Sequence, residues 1–167
     1  MEWIMNVNTD ARVAYLLTLT EKVMDQIDHE EGYHQAGKTI DMCWEWVEEK
    51  KYSGDELYLM LDNEDDGGVS IYELLTDDPQ QERIWLCIID AIAYTIWQAY
   101  KHENDEYLPQ PIETVDDDTI DEFITNIRKI HGYNENWESI LKQYLLDHYS
   151  PESSNKKIFR SEIMNKI

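Results

Sequence analysis

The sequence predicts an all-α fold: a single-domain bundle of six to seven helices around a buried central helix. Three observations carry this prediction. Apolar residues recur at three- and four-residue steps in one segment after another, the pattern of helices with one buried face. Alternation of the β type is hard to find, and only 6 Gly and 4 Pro interrupt 167 residues. The stretch from Ile84 to Tyr100 is apolar almost all round, as a helix buried on every side must be.

The first helix is expected to start at Thr9, a cap before Asp10, and to end near Gly32, with Val13, Leu16, Leu17, Val23, Met24 and Ile27 facing inward. The second places Tyr33, Ala36, Ile40, Cys43, Trp44 and Val47 on one face. It closes on Lys50 and Lys51, suited to the negative end of the helix dipole. Ser53 caps a shorter helix through Leu57, Leu59, Met60 and Leu61. An acidic turn from Asn63 to Gly68 follows, then a short apolar run from Val69 to Leu75. Pro79 opens the central helix, where a missing N–H does no harm. Pro109 and Pro111 mark a break and an extended loop. Asp116 or Asp117 should cap a sixth helix carrying Ile120, Phe123, Ile124, Ile127 and Ile130, which Gly132 ends. The last clear helix aligns Trp137, Ile140, Leu141, Tyr144 and Leu145, with Pro151 after its end. These elements make residues 1–149 one acidic helical domain. Residues 150–167 form a basic tail, frayed or folded into a short helix (Ile158, Ile163, Ile167) laid on the acidic body.

Charge narrows the function. The chain carries 36 acids against 14 bases, a net charge of −22. Phosphate binding needs clustered Lys and Arg, so nucleic acid and anionic membrane surfaces are excluded as partners, and a basic partner is favoured. The tail holds four cations against two acids, so it is +2 and the rest −24. Residues 52–82 contain ten acids and residues 102–127 nine, with no Lys or Arg in either span. The two spans flank the central helix in sequence, which would put both at one end of the bundle. An acidic run is often only a solvated helical surface. So many acids without local counter-charges favour a docking face, where complementary charge raises the association rate. No apolar run reaches the ~18 residues of a membrane helix. The N-terminus has no basic segment before an apolar core, so no signal peptide is expected. Cys43 and Cys87 sit inside apolar stretches, as buried free thiols of a reducing cytosol would.

Asp62 to Glu73 also matches the spacing of a calcium loop. Asp62, Glu64 and Asp66 stand at positions 1, 3 and 5, Gly67 at 6, Ser70 at 9 and Glu73 at 12, with Val69 at 8. Against a calcium-binding module stand the long Glu at position 3, a very short exiting segment before Thr76 to Pro79, and the lack of a second such loop. An acidic helix–helix connection is the plainer reading. His29, His34, His102, His131 and His148 are scattered without zinc spacing, and no nucleotide-binding or nucleophile-elbow motif occurs. Carboxylate pairs are too abundant to specify acid–base chemistry. The sequence therefore predicts no catalysis and no cofactor. Trp46 and Tyr58 lie off the main stripes of their helices, a placement that suits either interface aromatics or partly buried structural ones.

Four segments together resemble a known family: CWEWVEEK at 43–50, LYLMLDNEDDGG at 57–68, CIIDAIAYTIWQAY at 87–100 and LPQPIETVDDDTIDEFI at 108–124. They look like the all-α immunity-protein family numbered six of bacterial polymorphic toxin systems, over about residues 10 to 148. The resemblance implies a small cytosolic protein, encoded beside a toxin gene, that binds and neutralises the toxin's C-terminal domain. Many such toxins are nucleases with a basic substrate face, which an acidic inhibitor can occupy as a mimic of phosphate. On this expectation Asp62, Glu64, Asp65, Asp66, Asp116, Asp117 and Asp118 contribute to the docking face. The alternatives are the calcium module and a general acidic DNA mimic acting on host DNA-binding proteins. Oligomeric state is not legible, because an interface and a core both read as apolar stripes.

Overall fold

A computed structural model describes every residue from Met1 to Ile167, and all of its regular structure is helical. Six helices have eight or more residues: α1 (Thr9–Met24), α2 (Tyr33–Glu49), α3 (Gly54–Leu61), α5 (Pro79–His102), α7 (Asp118–Ile127) and α8 (Asn136–His148). Three are single turns: α4 (Ile71–Leu75), α6 (Gln110–Glu113) and α9 (Arg160–Met164). No helix is long and apolar enough to cross a membrane.

α5 is the axis, as its composition predicts, and α1, α2, α3, α4 and α7 all pack on it. Asp78 starts it by accepting hydrogen bonds from the Gln80 and Gln81 N–H groups, and Pro79 fills the first turn. α1 shares the centre more than its stripe suggests, since every residue from Val13 to Thr20 is buried. Two of these are polar. The Thr18 and Thr20 hydroxyls donate to the Ala14 and Leu16 carbonyls one turn back, so both side chains enter the core with their hydrogen bonds made. The cap of α1 is Asn8 rather than Thr9. Asn8 has the extended backbone a cap needs, and its side chain accepts from the Ala11 N–H at 2.9 Å. The helix stops at Met24 and a tighter turn carries Ile27 into the core, well before Gly32.

α3 begins with a complete capping box between Ser53 and Glu56. Gly54 lets it approach α5 closely, because a Cβ there would stand 2.8 Å from the Tyr100 ring. The Glu103 carboxylate accepts from the Gly54 N–H at 2.7 Å, and the Tyr100 hydroxyl donates to Asp55 at 2.6 Å. α3 therefore starts at the C-terminal end of α5 and runs back along it. Further back, Tyr72 of α4 stacks on Trp85 of α5, with ring centroids 5.3 Å apart.

The proline break holds a helical turn, α6, which buries Ile112. α7 ends at Ile127, five residues before Gly132. Arg128, just past it, clamps Glu138 of α8 through two hydrogen bonds of 3.0 and 2.7 Å. Ile140 departs from the expected stripe of α8 and is exposed. Trp46 is likewise not a surface aromatic. It is 1% exposed, under the Lys50 ammonium and edge-on to His102. The C-terminal segment packs on the body: Ile158 and Ile163 join the same core, and Arg160 bridges Glu21 and Asp41 at 2.7 Å each.

Candidate functional site

Successive residues of a helix advance by about 100°, so its exposed positions show which face its neighbours leave open. From Leu86 to Lys101, the residues of α5 that are not fully enclosed are Leu86, Ile89, Asp90, Trp97 and Lys101, with Ala93 8% exposed. All fall within about 120° of one another on the helical wheel. Over these residues α5 thus keeps one half-open face, apolar but for Asp90 and Lys101.

The contacts of α5 identify the flanks of this face. Tyr100 and Trp85 lie at one edge and meet Asp55 of α3 and Tyr72 of α4. Tyr94 lies beyond the other edge, and its hydroxyl donates to Asp117, just before α7, at 2.7 Å. α7 runs antiparallel to α5, since Gln80 at the start of α5 hydrogen-bonds the Lys129 carbonyl past the end of α7. The half-open face therefore lies between α3 and α4 on one side and α7 on the other.

Both acidic groups singled out in the sequence lie on these flanks. The first is the turn after α3. Asn63 organises it: the side-chain carbonyl accepts from the Asp65 and Asp66 N–H groups, and the amide donates to Leu59 and to Asp66. Gly68 closes it with φ +66°, where a Cβ would lie 2.4 Å from the Leu61 carbonyl oxygen. Glu64, Asp65 and Asp66 project into solvent, while Asp62 is partly covered and accepts from Tyr58 at 3.1 Å. The Gly68 N–H and the Asn63 amide hold the Asp66 carboxyl below the usual range. This wiring is not that of a calcium loop. Asp66 is committed to the turn's own amides, and no group of three His, Cys, Asp or Glu side chains could hold a metal ion.

The second group opens α7. Asp116 and Asp118 are exposed, and Asp116 accepts from the Asp118 N–H at 2.9 Å. Asp117 makes no helix cap. It is a strut between Tyr94 and Arg12, the latter at 3.4 Å. No hydrogen bond or ion pair joins the two groups. Only part of the acid collects at one end of the bundle: Asp55, Glu103 and Asp105 surround the Tyr100 hydroxyl at the C-terminal end of α5. Burial first, then these carboxylates, push the Tyr100 phenol upward.

Ion pairing is uneven. None of the ten carboxylates in residues 52–82 is in an ion pair. In residues 102–127 only Asp117 and Asp121 are paired, with Arg12 and the N-terminal ammonium. The other paired cations join carboxylates outside these two spans: Lys50 with Asp10, Lys51 with Glu45, Arg128 with Glu138, and Arg160 with Glu21 and Asp41. Three exposed leucines stand among the unpaired carboxylates: Leu59 on α3, 60% exposed, and Leu74 and Leu75 on α4, 78% and 63% exposed. Sequence reasoning counted them with the apolar runs. The shortness of the segment before Thr76-Asp77-Asp78-Pro79 was the available signal, because a single turn cannot bury both leucines.

An all-α domain with an apolar helix face between unpaired carboxylates is built like a protein that binds proteins. The comparison with known families agrees. The chain matches the family described as Immunity protein Imm6 over residues 11–130, and it belongs to that family. Comparison with curated proteins and with solved structures found no match.

Proposed function

We propose that this immunity protein neutralises a cognate toxin by covering a basic surface of the toxin's C-terminal domain with the half-open face of α5 and its acidic flanks. It does so without catalysis. The observation that carries this reading is the distribution of ion pairs: Asp117 and Asp121 apart, no carboxylate of residues 52–82 or 102–127 has a cation of its own, while Lys50, Lys51, Arg128 and Arg160 pair with carboxylates outside these spans. Unpaired like charges raise the energy of the free fold and are relieved when a basic partner docks. Leu59, Leu74 and Leu75 supply apolar contact beside them. A nuclease, whose substrate face is basic, is the toxin class that fits. The buried free thiols Cys43 and Cys87 suit a reducing compartment, and we place the complex in the cytoplasm.

The test is co-expression. The C-terminal domain encoded immediately upstream is induced in a laboratory bacterium with and without this chain. Relief of killing and co-purification are the expected results, and toxicity that persists overturns the proposal. Exchange of Glu64, Asp65, Asp66, Asp116 and Asp118 for amides should then slow association about 10- to 100-fold at low salt and flatten its dependence between about 50 and 500 mM. Equal binding to several unrelated basic proteins would point instead to a general acidic mimic.

A further inference from the structure

The half-open face of α5 carries one charged side chain in its middle. Asp90 lies between the apolar side chains of Leu86, Ile89, Ala93 and Trp97 on the helical array, and Lys101 closes the face beyond them with its ammonium over the Trp97 ring. Neither a hydrogen-bond donor nor a cation of the chain offsets it, and the charge acting on it is Glu122, reaching across from α7. Glu122 is also outside every ion pair. A partly enclosed carboxylate facing a second carboxylate is unfavourable in the free protein, because burial and repulsion both oppose ionisation. Burial, with Glu122 adding to it, pushes the Asp90 carboxyl up to about 7. Leucine or alanine would serve the packing of α5 better, so the position works against stability as the free chain stands.

We propose that Asp90 is the anchor of the docking face: one arginine or lysine of the toxin, flanked by apolar groups, lies along α5 and seats its cation between Asp90 and Glu122. This rests on the toxin-binding reading above and assigns it a centre. Charge complementarity selects the occupant. A second copy of this chain would bring further carboxylates to a slot that already holds two, whereas a basic side chain neutralises both and its alkyl stem covers Leu86 and Trp97. The acidic flanks then steer the encounter, and Asp90 holds the complex.

Asp90→Asn and Glu122→Gln separate these roles. Calorimetric titration with the cognate toxin domain should show affinity reduced at least about 10-fold in Asp90→Asn, through faster dissociation, and by a smaller factor in Glu122→Gln. The free Asp90→Asn chain should melt at a higher temperature than wild type at pH 8. Wild-type binding at pH 7 should release protons, read from titrations in two buffers of different ionisation enthalpy, and Asp90→Asn should not. Tight wild-type binding that Asp90→Asn leaves unchanged overturns the anchor and leaves the inhibitor reading standing. A lower melting temperature together with weaker binding assigns Asp90 a structural role and also overturns it. A wild-type chain that does not bind the toxin removes both proposals.

Discussion

Gly68 returns the chain from α3 towards α4 at φ +66°, with the Leu61 carbonyl in the space a side chain would need. Gly68→Ala combines a disfavoured backbone with a clash against main chain, so it should cost about 2–4 kcal/mol of stability, read as a lower urea midpoint. Asp90 gives a second prediction at this scale. Its folded value, about 7, lies above the carboxyl's ordinary 3.8. The folded protein therefore holds this proton more tightly than the unfolded chain does. Its contribution to stability is complete below about pH 4 and is lost as pH rises through 7. Asp90→Asn removes that loss. The stability difference between variant and wild type should grow from about 1 kcal/mol at pH 4.5 to as much as about 4 kcal/mol at pH 8. A difference that is flat with pH would contradict the assignment. The site residues were legible unequally, for a physical reason. Glu64, Asp65, Asp66, Asp116 and Asp118 are exposed acids of the turn after α3 and the start of α7, and their charge alone shows in a sequence. Asp117 reads identically there, yet Tyr94 and Arg12 turn it inward. Asp90 read as part of an apolar run, because its significance depends on which face of α5 its neighbours leave open.

The elements with local signals were the ones the sequence predicted well. The capping box of α3 and Pro79 at the start of α5 depend on residues a few positions apart. Ser53→Ala should therefore cost about 1 kcal/mol, read as a lower urea midpoint, with faster amide exchange in the first turn of α3. The misses depended on distant partners. Val13 to Thr20 of α1 looked one-sided because Thr18 and Thr20 read as polar, but their hydroxyls are satisfied within the helix and α5, α2 and α8 cover the rest. Trp46 fell off the stripe of α2, and only the fold supplies Lys50 and His102 to enclose it. α9 has five residues and cannot hold itself as a helix in isolation. Its attachment rests on Ile163 and on Arg160, which ties it to α1 and α2. Arg160→Ala should loosen the segment from Ser150 to Phe159, with limited proteolysis there becoming several-fold faster while α5 remains intact.

For the whole molecule, the net charge of −22 acts on the fold as well as on a partner. Self-repulsion among unpaired carboxylates is long-ranged and screened by salt. The melting temperature of the free chain should rise between about 50 and 500 mM sodium chloride, and the five-amide flank variant should rise less. The same segregation of charge governs how the face can be seen by chemistry. Lysine and arginine are absent from residues 52–82, 84–100 and 102–127, so trypsin cleaves this region only after Arg83 and Lys101. α3, α4, α5 and α7, with both acidic turns, fall into three long tryptic peptides, 52–83, 84–101 and 102–128, with α5 divided after Arg83 and Lys101. In this region amine-directed cross-linkers find only Lys101 and the N-terminal ammonium beside Asp121. Carbodiimide coupling of carboxylates to a partner's lysines reads the face itself, and protection of the bonds after Arg83 and Lys101 in a complex marks its two ends.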